Sequence, residues 1–158
     1  MTALLAGPGG HARVVLTPGL ALIDAVCCAM ARLAWRSANL LILGGPLARA
    51  VYHTSILTPG GPRWIDYGPA RQIAGPAWLV MGSATFGRGL DGERVLHCHG
   101  LLSGSQGAVG GHLSPELCLL GGDGLVAHAT GASEAGFAMQ HEPATGFDLF
   151  TPTCLACC

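Results

Sequence analysis

The chain of 158 residues contains no lysine, so its eight basic side chains are all arginines. Without lysine it has neither the amine of a Schiff-base enzyme nor the phosphate-binding residue of a P-loop. Charged residues make up only 11% of the chain, the formal net charge is −1, and the arginines form no basic run. A domain that binds duplex DNA normally concentrates positive charge on one face. The composition therefore disfavours nucleic acid as a partner.

Signals for export or membrane insertion are also missing. The start of the chain lacks the charged and continuous apolar regions of a signal peptide, because Pro8, Gly9 and Gly10 interrupt it. The uncharged stretch from Val95 to Pro115 contains three histidines and five glycines, which excludes a membrane span. Seven cysteines, an odd number without regular spacing, are typical of a reducing compartment. We therefore expect a cytoplasmic protein that does not enter a membrane.

The rest of the composition describes one compact domain. Half of the residues are apolar, 25 are glycine, and the mean hydropathy is +0.47. A chain of this length buries one core, so we expect a single domain over residues 1–158. Cys154, Cys157 and Cys158 crowd the end of the sequence, but no second cysteine pair completes a metal site with their C-x-x-C spacing. We assign no function to this tail, residues 152–158.

The apolar pattern predicts one main helix and about seven strands. Thr17 and Pro18 suit an N-cap and a first helical position, and apolar residues then recur at helical spacing as far as Ala34. Later apolar runs between glycines and prolines predict strands over residues 40–43, 50–57, 78–81, 95–102, 117–120, 125–129 and 147–150. The fold class is therefore α+β, with a mostly antiparallel sheet packed against one helix.

Three histidines fall on one face of a predicted β-hairpin. In a strand, His97 and His99 point to the same side because side chains alternate with period two. If residues 104–107 form a four-residue loop, Leu102 pairs with Val109 and His99 lies directly opposite His112. Directly opposed Cβ atoms are about 4.5–5.5 Å apart. The three imidazoles can then converge on one metal ion.

Such a site suits zinc or a similar divalent transition metal, with a fourth position open to water, substrate or a partner side chain. Gly110 and Gly111 flank the third ligand and leave room for a metal-bound molecule or another backbone. Glu116 is a candidate catalytic acid or base, because it has the same parity as His112 if the strand continues past Pro115. In the alternative interpretation, the histidines are only hydrogen-bonded to neighbours or water.

The sequence H-C-H-G at 97–100, followed by G-G-H-L at 110–113 and Pro115-Glu116, resembles the plants-and-prokaryotes-conserved (PPC) domain. The resemblance extends over about residues 11–151, since Pro18-Gly19 and the following helix are similar to that domain's opening. It implies an antiparallel sheet of about seven strands on a helix, a homotrimer, and the three histidines as metal ligands. The bacterial stand-alone type without an AT-hook is the nearest match, because no R-G-R-P core occurs here. Trp78 stands where many relatives have a glutamate.

Other metal and catalytic motifs do not fit. A cupin would place a glutamate where Ser103 stands, and neither H-E-x-x-H nor G-x-S-x-G occurs. We expect a small trimeric protein in which a metal serves an enzymatic or small-ligand role of unknown substrate. The alternative is a DNA-binding or transcription-associated module, in which a trimer gathers Arg32, Arg36, Arg63 or Arg71 into one patch. A third possibility is a scaffold that the metal only stiffens.

Overall fold

The computed structural model describes residues 4–5, 9–61, 63–132 and 135–154. Its elements in chain order are β1 Leu4–Leu5, β2 Gly9–Leu16, α1 Leu22–Arg32, β3 Ala38–Arg49, β4 Val51–His53, β5 Ser55–Leu57, β6 Ile65–Tyr67, β7 Arg71–Gln72, β8 Ala77–Arg88, β9 Arg94–Gly104, β10 Gly107–Leu113, β11 Leu119–Leu120, β12 Leu125–Ala132, β13 Ala135–Glu142 and β14 Phe147–Cys154. No helix in these ranges is long and apolar enough to cross a membrane.

One twisted sheet dominates the described part of the chain. Its strands follow the order β1-β2-β12-β3-β8-β9-β10-β4-β7, with β11 on β3 and the β13–β14 hairpin beside β8. All pairs are antiparallel except a single parallel contact between β13 and β8. The prediction of a mostly antiparallel sheet with one helix is confirmed.

The predicted number of strands was wrong. The main sheet contains 12 strands and a separate sheet holds β5 and β6, against the expected seven. The run at residues 50–57 divides at Thr54 into β4 and β5, which pair with different partners. The short strands β6 and β7 carry too few apolar residues to appear as apolar runs. Their partners, rather than their composition, make them strands.

The helix starts later than Thr17 and Pro18 predicted. Ala21 is its N-cap, without a side-chain capping bond. Gly19 turns the backbone with a φ of 78°, and its N–H donates to the carbonyl of Leu120 at 2.9 Å. The N–H of Leu22 donates to Cys118 at the same distance. The backbone directly after Thr17 and Pro18, which the capping signal predicted to be helical, is therefore hydrogen-bonded to the β11 region instead.

Helix α1 covers one face of the sheet and leaves the other face open. Its buried residues pack on β2, and Leu40, Phe86 and Cys98 from three adjoining strands belong to the same core. Because side chains alternate along β9, burial of Cys98 directs His97 and His99 to the face away from the helix. At the end of the chain, β14 continues to Cys154, and Cys157 and Cys158 lie outside the described residues.

Candidate metal centre

The hairpin formed by β9 and β10 has the predicted register. Leu102 pairs with Val109, and His99 lies directly opposite His112. The turn is tighter than the predicted four-residue loop, because Gly104 and Gly107 also pair and only two residues connect them. Gly107 has a φ of 107°, which glycine adopts without strain. Closing the loop by one more pair leaves the histidine register unchanged.

The three imidazoles of this hairpin come together on the open face. The Nε2 atoms of His97 and His99 are 3.0 Å apart. The ring centroid of His112 is 4.8 Å from that of His97 and 5.3 Å from that of His99. One nitrogen from each ring lies within 4.8 Å of the others. Atoms that each lie about 2.0–2.1 Å from a common ion are at most about 4.2 Å apart, so only small ring rotations would bring these nitrogens to one ion.

The surroundings of His97 and His112 lower the pKa of these two rings. Burial lowers the pKa of His112 to about 4, with further lowering by His97, His99 and His53. Burial, followed by repulsion from His99, also lowers the pKa of His97. A neutral imidazole offers a nitrogen lone pair to a metal. The buried Nδ1 atom of His112 has no hydrogen-bond partner among the described residues. Folded proteins rarely leave a buried polar atom without a partner. This donor set fits a borderline divalent ion.

A second group of side chains adjoins His112, and sequence reasoning missed it. Strand β4 pairs with the edge of β10 that faces away from β9, and in this pairing His53 lies opposite His112. Its Nδ1 lies 2.8 Å from the carbonyl oxygen of Gly68, and its Nε2 lies 3.1 Å from the hydroxyl of Ser114. The ring of Tyr67 is 4.7 Å from the ring of His112. Burial raises the pKa of Tyr67, so its hydroxyl keeps its proton at neutral pH.

The triad forms one wall of a cavity of about 660 Å³. Strand β6 contributes a second wall through Ile65 and Tyr67, and the β13–β14 hairpin contributes a third through Phe147. The guanidinium of Arg63 lies 4.6 Å from the centre of the Phe147 ring and bonds Asp66 at 3.0 Å. The three histidines therefore line one end of the cavity. Arg63 and Asp66 make a polar side, and Ile65 and Phe147 make an apolar side.

Glu116, predicted as a candidate acid or base, also lines this cavity. It does so from the turn after β10 rather than from a continued strand, since β10 ends at Leu113. Its carboxylate is exposed to solvent. The strand does not continue to Glu116, so the condition of the parity argument is not met, although the residue lines the same cavity.

The two predicted flanking glycines differ in their surroundings. A Cβ on Gly111 would lie 2.2 Å from the carbonyl oxygen of His53, so another backbone occupies the room beside it. A Cβ on Gly110 would meet its nearest atom, the carbonyl oxygen of Gly100, at 3.6 Å. Of the two glycines, only Gly110 could therefore accept a Cβ without a close contact.

No protein-family model matches the chain, and no curated protein matches its sequence. Solved structures do match. The plant- and prokaryote-conserved (PPC) protein of Pyrococcus horikoshii has a TM-score of 0.65 and 17% identity, with 98% of this chain and 97% of that chain covered. A metal-containing protein of Archaeoglobus fulgidus has a TM-score of 0.66 and 17% identity, with 96% and 98% covered.

A third structure is the "putative DNA-binding protein" of Ralstonia eutropha JMP134, with a TM-score of 0.67 and 16% identity over 93% of this chain and 94% of that chain. At these identities, the comparisons show a shared fold. The chain thus has the fold of the Pyrococcus PPC protein over nearly its whole length.

Proposed function

We propose that this chain is a single-domain, cytoplasmic PPC-domain protein that binds one divalent transition metal, zinc or a similar ion, through His97, His99 and His112. The observation that carries the proposal is the convergence of three imidazoles whose nitrogens lie within 4.8 Å, together with the buried Nδ1 atom of His112, which has no hydrogen-bond partner among the described residues. Three neutral nitrogen ligands leave a position open, as in catalytic rather than closed structural sites. A bound ion would supply Lewis acidity to a ligand oxygen.

The metal end of the cavity supports a role in binding or converting a small molecule. A space of about 660 Å³ is in the range that holds small ligands. Apolar side chains such as Met139 and Phe147 line one side, and Glu116 offers a carboxylate to the same space. A metal that only stiffened the hairpin would need no such cavity. The ligand is therefore expected to combine a metal-binding oxygen with an apolar body.

Metal content tests the centre directly. Protein purified without an affinity tag and reconstituted with zinc should contain about one ion per chain by elemental analysis, and His99→Ala should lose most of it. His128→Ala is the matched control, because His128 is an exposed histidine on β12, which β3 and β8 separate from β9, and it lies outside the triad. A metal-free unmutated protein, or equal loss in both variants, would overturn the proposal.

DNA association is the second candidate function, and one observation favours it. Arg88 and Arg94 are directly paired between β8 and β9, and the Arg94 guanidinium donates to the carbonyl of Arg36 at 2.7 Å. Three exposed arginines thus gather at one end, although Asp91 and Glu93 lie in the adjoining turn. Fluorescence anisotropy with a labelled duplex over a salt series tests this function, since phosphate contacts weaken steeply with salt. Absence of binding at low salt would exclude it.

A further inference from the structure

Ser114 and His53 form a hydrogen-bonded pair at the edge of the metal cavity. The Oγ atom of Ser114 is 3.1 Å from Nε2 of His53, although the two residues are 61 positions apart. Both side chains are half-buried, and Ser114 lines the cavity. The main chain holds the serine, because its N–H donates to the carbonyl of Val51 at 2.9 Å.

The carbonyl of Gly68 determines which nitrogen of His53 carries the proton. A carbonyl oxygen can only accept, so the contact of 2.8 Å requires a hydrogen on Nδ1 of His53. In the neutral ring, Nε2 then carries the lone pair and accepts the hydroxyl proton of Ser114. This arrangement of hydroxyl, imidazole and a fixed acceptor behind the imidazole is the one that activates a serine nucleophile.

We infer that Ser114 is a nucleophile, with His53 as its base, toward carboxylic esters that carry an apolar acyl group. The cavity beside Ser114 supplies the apolar surface through Ile65, Met139 and Phe147. The inference goes beyond metal binding and does not require the ion. An experiment can therefore contradict the serine reactivity without contradicting metal binding, and the reverse.

The reaction follows from the two hydrogen bonds. Oγ of Ser114 forms a bond to the acyl carbon while its proton passes to Nε2 of His53. The ester C–O bond then breaks, and the alcohol leaves with that proton. Water completes the cycle by giving a proton to His53 and its oxygen to the acyl carbon, after which the Ser114 Oγ–C bond breaks and Oγ regains a proton. No oxidant, reductant or further reactant is needed.

An alkyl fluorophosphonate is the probe that tests the inference. It forms an Oγ–P bond with an activated serine and releases fluoride. Intact and peptide mass spectrometry should find one label on Ser114 in the folded protein, both as purified and after metal removal. Denaturation in urea should abolish the label. In His53→Gln the labelling rate should fall by about 100-fold, the usual contribution of a general base.

Ser105→Ala is the control, because Ser105 is exposed in the turn between β9 and β10 and does not line the cavity. This variant should be labelled at the unmutated rate, whereas Ser114→Ala should carry no label. Peptide mapping of the unmutated protein gives a decision even where a variant does not fold. Label on other residues only, no label, or a rate at Ser114 that ignores His53→Gln would each overturn the inference.

Discussion

His112 is the residue on which the centre depends most. Its ring lies beside the rings of His97, His99 and His53. Burial lowers its pKa to about 4, well below the ordinary value of 6.5. A neutral ring is ready for a metal, but in the metal-free protein it makes the fold sensitive to acid. The same burial thus prepares the ligand and costs stability when the ligand takes up a proton.

Acid should therefore weaken the metal-free protein through His112. Below pH 6.5 the His112 ring of the unfolded chain binds a proton, whereas the same ring in the folded chain stays neutral until the pH approaches 4. The contribution of this ring to the free energy of unfolding is therefore fully present above pH 6.5 and is lost as the pH drops through this window. Because the ring is only half-buried, we expect a loss of about 1–2 kcal/mol from this group.

Urea unfolding in the presence of a chelator, at about pH 7.5 and about pH 4.5, measures this loss. The stability difference between the two pH values should be about 1–2 kcal/mol smaller in His112→Gln than in the unmutated protein, since the glutamine does not titrate. Equal differences in the two proteins would contradict the assignment.

The pairing of strands β4 and β10 joins the metal triad to the Ser114–His53 pair. His112 faces His53 across this pairing, and Gly111 allows the two backbones to approach closely. The glycine is therefore a structural requirement of the strand pair, in addition to its position beside a ligand.

Gly111→Ala should separate these strands. Its Cβ would lie 2.2 Å from the carbonyl oxygen of His53, which belongs to backbone and cannot rotate away. We expect a loss of about 1–3 kcal/mol in urea unfolding. Gly110→Ala is the control, with its nearest contact at 3.6 Å, and should change stability by less than about 1 kcal/mol. Similar values for the two variants would show that β4 does not approach β10 in this way.

The open face of the whole molecule carries exposed apolar side chains next to the metal triad. Leu41, Met81 and Leu101 are 43%, 50% and 42% exposed and, with His99, line a shallow depression of about 350 Å³. This outer apolar face, defined by Leu41, Met81 and Leu101, spans three adjacent strands. Few charged residues are available in the chain to solubilise it.

We propose that the homotrimer implied by the resemblance buries this face between subunits. Native mass spectrometry at micromolar concentration should show trimers, and Met81→Arg should convert most of them to monomers because a charge would be buried without a partner. Leu90→Arg is the control, since Leu90 is 63% exposed in the turn between β8 and β9. A monomeric unmutated protein, or equal dissociation of both variants, would contradict this interface.

Local patterns were sufficient to predict the hairpin and its three histidines. Side-chain alternation has period two, and a short connection restricts which residues can pair, so the positions of His97, His99 and His112 follow from a segment of sixteen residues. The single amphipathic helix and the mostly antiparallel sheet were predictable for the same reason, since periodicity is a property of neighbouring residues.

Only the tertiary structure brought His53 and Tyr67 to that hairpin and to Ser114, which directly follows it. His53 and Ser114 are 61 residues apart, and no spacing rule connects a residue of β4 with the turn after β10. The start of α1 was also decided by distant backbone, because Leu120 and Cys118 accept hydrogen bonds from Gly19 and Leu22, which follow the local capping signal. Sequence patterns specify what each segment can form, whereas competition between segments for hydrogen-bond partners decides which contacts are made.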